Sequence, residues 1–113
     1  MLNRIITLDE VDSTNNYLKL NRGELPDGTL VTARIQTAGK GRRGHEWLAD
    51  QGMLPLSLLL KQPPHPDTLT LCAGVAVCEA LEPLLPGEEL GIKWPNDIYI
   101  GDRKVTGILI END

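Results

Sequence analysis

The residues with the most chemistry to offer lie in one run, Gln36-Thr37-Ala38-Gly39-Lys40-Gly41-Arg42-Arg43-Gly44-His45-Glu46-Trp47. Gly39, Gly41 and Gly44 let the backbone come close to a ligand and turn its N–H groups toward it, an arrangement that suits anions. Lys40, Arg42 and Arg43 place three positive charges within four residues of a chain whose formal net charge is −5. A bound phosphate or carboxylate would relieve the repulsion among them. Trp47 closes the run, where its ring could stack on a planar group or cover a bound ligand. The plainer reading of a basic segment is a solvated surface loop; the glycines and Trp47 together favour an anion-binding loop, and spacing alone does not name the anion. Gly-Lys is not followed by Ser or Thr, so this is not the phosphate-binding lysine motif, and no dinucleotide-binding glycine spacing occurs.

Two further groups of residues carry chemistry. Lys93-Trp94-Pro95-Asn96-Asp97 is followed by Arg103-Lys104-Val105-Thr106-Gly107. Pro95-Asn96-Asp97 reads plainly as a bend. Yet Lys93 and Lys104 sit at the start of apolar strands expected to be neighbours across a hairpin, where an ammonium needs solvent or an anion. Lys104 could stabilise negative charge developing on a carboxylate under activation, and Gly107 would let a ligand pass close to its strand. The third group is Asp12-Ser13-Thr14-Asn15. A helix N-cap accounts for it fully, and the same hydroxyl and amide groups could also bind the polar edge of a small heterocycle.

These residues need elements to hold them. Arg4 to Leu8 is a short apolar run suited to a strand, and a helix carrying Tyr17 and Leu18 follows, fading at Asn21-Arg22-Gly23. Pro26-Asp27-Gly28 is turn chemistry, and Leu30 to Gln36 alternates with a period of two, predicting a half-buried strand. Thr37 to Gly52 reads as loop. Leu54 to Leu60 predicts a strand buried on both sides, and Pro63, Pro64 and Pro66 form a stiff connection. A helix from Asp67 or Thr68 to about Leu85 is apolar nearly all round and is expected to pack within the core. Gly91 to Trp94 and Asp97 to Ile100 are short strands, Gly101-Asp102 suits a two-residue hairpin turn, and Val105 to Glu111 returns as a strand. The order β-α-β-β-α-β-β-β implies an α+β domain with a mixed or antiparallel sheet flanked by helices. A last apolar strand beside Glu111-Asn112-Asp113 would leave an edge open to another segment or chain, so a homodimer is a reasonable expectation.

Composition bounds the rest. The 113 residues allow one domain, with 41% apolar and 24% charged residues in the ordinary globular range. Two Trp, two Tyr and no Phe mean an aliphatic core. The acidic balance argues against a dedicated nucleic-acid binder. Cys72 and Cys78 stand well over a helical turn apart and read as two buried thiols in a reducing compartment, without metal-ligand spacing. No secretory signal and no span of membrane length is legible, so a cytoplasmic protein without membrane association is expected.

Taken together, Val11-Asp12-Ser13-Thr14-Asn15, the Gln36–Gly44 run with Trp47, Lys93-Trp94-Pro95-Asn96-Asp97 and Lys104-Val105-Thr106-Gly107-Ile108-Leu109 resemble the biotin protein ligases in order and spacing. The resemblance covers nearly the whole chain. It implies a fold like that of the class II aminoacyl-tRNA synthetases, and an enzyme that forms biotinyl-AMP from biotin and ATP with Mg2+, then passes biotin to a lysine of a carboxylase carrier domain. Residues 1–113 would be the first part of the catalytic domain, with its later strands, the small C-terminal barrel and any preceding DNA-binding domain absent. By motif position, Ser13, Thr14 and Asn15 would contact biotin, with Gln36 beside its ureido ring. Gly39, Lys40, Gly41 and Arg42 would close over the ligand, the Arg42 side chain would meet phosphate, and Trp47 would border the adenine side. Lys93, Asn96 and Asp97 would serve the ATP region, Asp97 near magnesium, while Lys104 would hold the acyl-phosphate oxygens and Gly107 would admit the ligand. Arg42 and Lys104 would be the catalytic pair. Lys40 and His45 stand where the family usually carries Arg, which exchanges fork-shaped donors for weaker ones. A non-catalytic biotin-binding module, or a ligase for lipoate, is the alternative.

Overall fold

The computed structural model describes residues 2–49 and 52–112, with the side chains of residues 42 and 47–49 outside the description. The chain forms two compact units, Met1–Gln62 with Glu111–Asp113, and Pro63–Ile110.

In the first unit, strand β1 (Arg4–Val11) runs parallel to β2 (Thr29–Lys40), with Ile6 opposite Val31 and Val11 opposite Gln36. Parallel strands need a crossover, and helix α1 (Thr14–Asn21) supplies it. Ser13 starts the helix as predicted: its Oγ accepts from the Asn16 N–H at 3.2 Å, and Asp12 Oδ1 accepts from the Ser13 N–H at 2.7 Å. Leu18, Leu25 and Val31 form the core, with Ile6, Leu8, Tyr17 and Leu59 packed against it. Strand β3 (Glu46–Ala49) and strand β4 (Leu56–Leu58) both pair antiparallel with β2, β3 along Gln36–Lys40 and β4 along Leu30–Thr32, completing a four-stranded mixed sheet.

Two expectations fail here. The segment read as a loop from Thr37 is largely hairpin, because β2 continues to Lys40 and returns through β3. A register shift between Gln36 and Gly39 hides the alternation that would have revealed it. The strand read as buried on both faces is three residues long: Ser57 points inward, while Leu54, at 73% exposure, and Leu56 and Leu58 face outward.

In the second unit, helix α2 (Leu69–Leu81) packs on an antiparallel sheet of β5 (Leu90–Lys93), β6 (Asp97–Ile100) and β7 (Arg103–Gly107). Gly74 is where they meet: a Cβ built there would lie 3.7 Å from Ile92 Cδ1, in ordinary contact. Gly101, at φ +59°, makes the two-residue turn between β6 and β7 that the sequence predicts. The helix is less enclosed than its composition suggests. Only Gly74 on it is buried, and Leu71 and Val75 are exposed. Cys78 is half-buried and Cys72 exposed, both free, which corrects the expectation of two buried thiols. The final strand ends at Gly107 rather than Glu111, although Ile108 and Asn96 extend the pairing by one step through the Ile108 N–H to Asn96 O bond of 3.0 Å. Among the described residues, no helix is long and apolar enough to cross a membrane.

Ile98 on β6 is fully buried. Ile98→Val removes one methylene there and is expected to lower unfolding free energy by about 1 kcal/mol, read as a shifted urea midpoint at unchanged slope.

Candidate functional site

Within the first unit, the polar residues around the start of α1 form a connected set. Gln36 reaches across from β2, and its Oε1 accepts from the Thr14 N–H at 2.9 Å. A backbone N–H can only donate, so the Gln36 oxygen must face Thr14 and its NH2 must face away. That NH2 has no partner among the described residues. No buried side-chain nitrogen or oxygen lacks a partner there either, so the unspent amide reaches accessible space although Gln36 is only 8% exposed. The Ser13 hydroxyl oxygen caps the helix, and its proton likewise has no acceptor among the described residues. Two donors from buried residues therefore open beside Thr14, an arrangement fitted to a carbonyl or similar acceptor.

Behind Thr14 the set continues. Thr14 Oγ1 lies 2.7 Å from Ser57 Oγ, and the Ser57 hydroxyl donates to Asn15 Oδ1. Asn15 Nδ2 donates to Glu111 Oε1 at 3.1 Å, and Lys19 Nζ holds Glu111 Oε2 at 2.6 Å. Ser57, Lys19 and Glu111 escaped the sequence reading. A lone serine between Leu56 and Leu58 was a local signal for the first. Glu111 carries no local signal, since its partners stand 92 and 96 residues earlier.

The Glu111 carboxyl is held below the ordinary carboxylate range, first by the Lys19 hydrogen bond and then by that from Asn15; the charges of Lys19 and Lys40 add to this and partial burial opposes it. A carboxyl whose pKa is lower folded than unfolded contributes stability above its unfolded value, about 4.3, and loses that contribution as pH falls through the folded value. With about a third of each side chain exposed, the pair is worth at most about 1 kcal/mol. Glu111→Gln is therefore expected to flatten the acid limb of stability against pH below about pH 4.3 while changing neutral stability little, as measured by urea titration across that range.

The glycine-rich run turns at Arg43 and Gly44, both with positive φ, at 60° and 76°. Lys40, Arg43 and His45 are exposed along it. The Gly41 N–H is spent on His45 O at 2.6 Å, closing the hairpin, and the Ala38 N–H ties β2 to Asp12 O at 2.6 Å. Gly39 is buried, paired with Trp47 across the hairpin. The expected roles of the Arg42 and Trp47 side chains lie outside the described residues.

In the second unit, one face of the sheet gathers the remaining expected residues. Asp97 and Tyr99 share a face of β6. Opposite them stand Lys93 and Gly91 on β5, and Gly107 and Lys104 on β7. Lys104 Nζ is 3.1 Å from Asp97 Oδ1, and Lys93 Nζ lies 5.3 Å from the centre of the Tyr99 ring. Lys93 and Lys104 are not neighbours, contrary to expectation: β6 lies between them, and both lysines lean onto it. Two ammonium groups flanking one carboxylate over a floor containing Gly91 and Gly107 can receive a polyanion. Asn96 Nδ2 donates to Ile108 O at 2.9 Å, holding the end of the β5–β6 turn. Asp97 is paired with an ammonium, and among the described residues no three His, Cys, Asp or Glu side chains converge on a metal.

These features have counterparts in known proteins. The sequence model of the Biotin/lipoate A/B protein ligase family matches residues 8–113. The bifunctional ligase/repressor BirA of Escherichia coli (strain K12) is 40% identical over 111 residues, covering 95% of this chain and 34% of its own length. The biotin–[acetyl-CoA-carboxylase] ligase of Paracoccus denitrificans is 40% identical over 112 residues, covering 93% of this chain and 45% of its own. The biotin protein ligase from Aquifex aeolicus, solved in complex with biotin and ATP, superposes with a TM-score of 0.85 at 40% identity, over 98% of this chain and 47% of that one. The Leishmania major biotin protein ligase, solved with biotinyl-5-AMP, gives 0.82 at 29% identity, over 100% and 53%. The α+β expectation and the sequence resemblance both agree with these likenesses. The chain spans between 34% and 45% of the length of these two curated relatives.

Proposed function

Since the chain belongs to the biotin/lipoate A/B protein ligase family, we propose that it carries the acid-binding and carboxylate-activating residues of a biotin–protein ligase. The biotin carboxylate attacks the α-phosphorus of ATP, the bond to pyrophosphate breaks, and biotinyl-AMP forms. The amine of a carrier-domain lysine then attacks the acyl carbon, and AMP leaves. The observation that carries this reading is the Gln36 carboxamide, turned by the Thr14 N–H so that its donors face an accessible gap. Those donors, with the Ser13 hydroxyl, suit the ureido carbonyl of biotin and have nothing to bond in the dithiolane of lipoate.

The activating step joins two anions, so positive charge must meet the phosphoryl oxygens as negative charge develops. Lys104 is the residue for that role, held by Asp97 until a substrate competes for its ammonium. Lys93, packed against Tyr99, adds a second charge on the same face. The exposed cations Lys40 and Arg43, with Arg42 between them in sequence, would screen the adenylate once the hairpin folds onto it. Asp97 would offer magnesium a single carboxylate, with substrate phosphates and water supplying the other ligands.

Incubating the chain with biotin and ATP tests the reading. Pyrophosphate release with a product of biotinyl-AMP mass is expected. Calorimetric binding of biotin without turnover would instead favour a binding module, and displacement of biotin by equimolar lipoate would move the assignment to a lipoate-type ligase.

A further inference from the structure

Thr14 owns one hydroxyl proton and has two oxygens in reach, Gln36 Oε1 at 3.2 Å and Ser57 Oγ at 2.7 Å. The choice between them is made at the far end of the chain of hydrogen bonds. An ionised Glu111 only accepts, so Asn15 must turn its Nδ2 toward it and its Oδ1 toward Ser57. Ser57 then spends its single proton on Asn15 and can only accept from Thr14. Lys19 fixes the carboxylate that sets the direction of the whole series. With its proton so committed, Thr14 Oγ1 offers lone pairs only, beside a Gln36 amide that offers donors only.

Resting on the reading above that Gln36 meets the ureido carbonyl, we infer that Glu111 is a positioning residue for ligand selection: through Asn15 and Ser57 it makes Thr14 an acceptor, so that the pocket selects a group carrying an N–H next to a C=O. Without Glu111, Asn15 is free to invert. Ser57 would then donate to Thr14, and Thr14 to Gln36, so that the N–H of a cyclic urea would compete with Ser57 for a hydroxyl that has one lone pair left instead of two. The ion pair itself is about a third exposed and adds little to stability. Its effect is carried by direction, which each hydroxyl in the series passes on because it has a single proton to give.

The experiment has a ligand-free arm and a ligand arm. In the free protein, the side-chain amide signals of Gln36 are followed by NMR in Glu111→Ala, in Ser57→Ala and in the double variant. A shift of the Gln36 signals in Glu111→Ala that disappears in the Ser57→Ala background is expected, and a general loosening of the fold would not depend on Ser57 in this way. In the ligand arm, calorimetry is expected to show biotin bound about tenfold more weakly by each single variant and by the double variant alike, because both cut the same series. Glu111→Gln, which keeps size and one accepting oxygen, guards against misfolding and is expected to fall between wild type and Glu111→Ala. Unmoved Gln36 signals, additive losses in the double variant, or unchanged biotin affinity in Glu111→Ala would each overturn the inference. If the wild-type chain binds no biotin while the Gln36 signals still respond, the biotin reading fails and takes ligand selection with it, leaving the proton order as a property of the fold alone.

Discussion

Lys104→Ala is expected to lower pyrophosphate release from biotin and ATP by at least about a hundredfold while changing biotin affinity less than about twofold. The split follows from where Lys104 stands. Its ammonium lies 3.1 Å from Asp97, on the face of the second unit's sheet that also holds Lys93. It belongs to the second unit, whereas Gln36 and Ser13, whose unspent donors suit biotin, belong to the first. Losing a group that meets charge only as it develops lowers turnover and spares ground-state binding. Removing it also strands Asp97, whose carboxylate is less than a quarter exposed, so the phosphoryl oxygens would face an uncompensated negative charge as well as a missing positive one. Lys104→Arg restores the charge but spreads it over a bulkier planar fork in place of a compact ammonium, and is expected to recover only part of the rate. Asp97→Asn separates the two contributions: if Asp97 serves mainly to aim Lys104, turnover falls with the ammonium still present. The rate of pyrophosphate release for the three variants, set beside calorimetry with biotin alone, checks each statement. Equal losses of binding and turnover in Lys104→Ala would place this lysine against biotin itself.

Some of this arrangement was legible in the chain and some was not, for physical reasons. The Ser13 cap, the period-two strand from Leu30 and the Gly101-Asp102 turn are local signals, and each element forms where its residues dictate. Lys104 and Asp97 were singled out separately, but their pairing depends on register, and the register shift between Ile98 and Tyr99 brings Lys104 opposite Tyr99 instead of Val105. Gln36 is the instructive case. Alternation along Leu30, Thr32, Arg34 and Gln36 assigns it to the outward face, yet it is buried, because the burial pattern slips after Ala33. Nothing in the periodicity announces that slip; the family motif alone marked Gln36 as a binding residue. The apolar runs misled in the opposite sense. Leu54–Leu60 and α2 are apolar enough to be enclosed, but Leu54, Leu56, Leu71 and Val75 are exposed, since composition fixes which residues favour burial and not how much surface comes to cover them.

Gln36→Leu and Gln36→Glu should part in a way that isolates what the carboxamide does. Leucine fills nearly the same space and removes both functions at once. The Thr14 N–H, on a residue only 3% exposed, loses its acceptor, and the ligand loses its donors. A buried donor left unsatisfied costs about 1–3 kcal/mol, so Gln36→Leu is expected to unfold at lower urea and to bind biotin at least about a hundredfold more weakly. Glutamate keeps an oxygen for the Thr14 N–H, and because Thr14 is the first residue of α1, the negative charge sits at the helix N-terminus, where it is favoured. Gln36→Glu should therefore keep most of the wild-type stability. Toward the ligand, however, it presents lone pairs in place of an NH2, and a carbonyl approaching them is repelled. Biotin affinity is expected to fall at least as far as in the leucine variant while the urea midpoint stays close to wild type. Binding that survives in Gln36→Glu would mean that the gap beside Thr14 receives some other part of the ligand, and the carbonyl-accepting role would pass to the Ser13 hydroxyl alone.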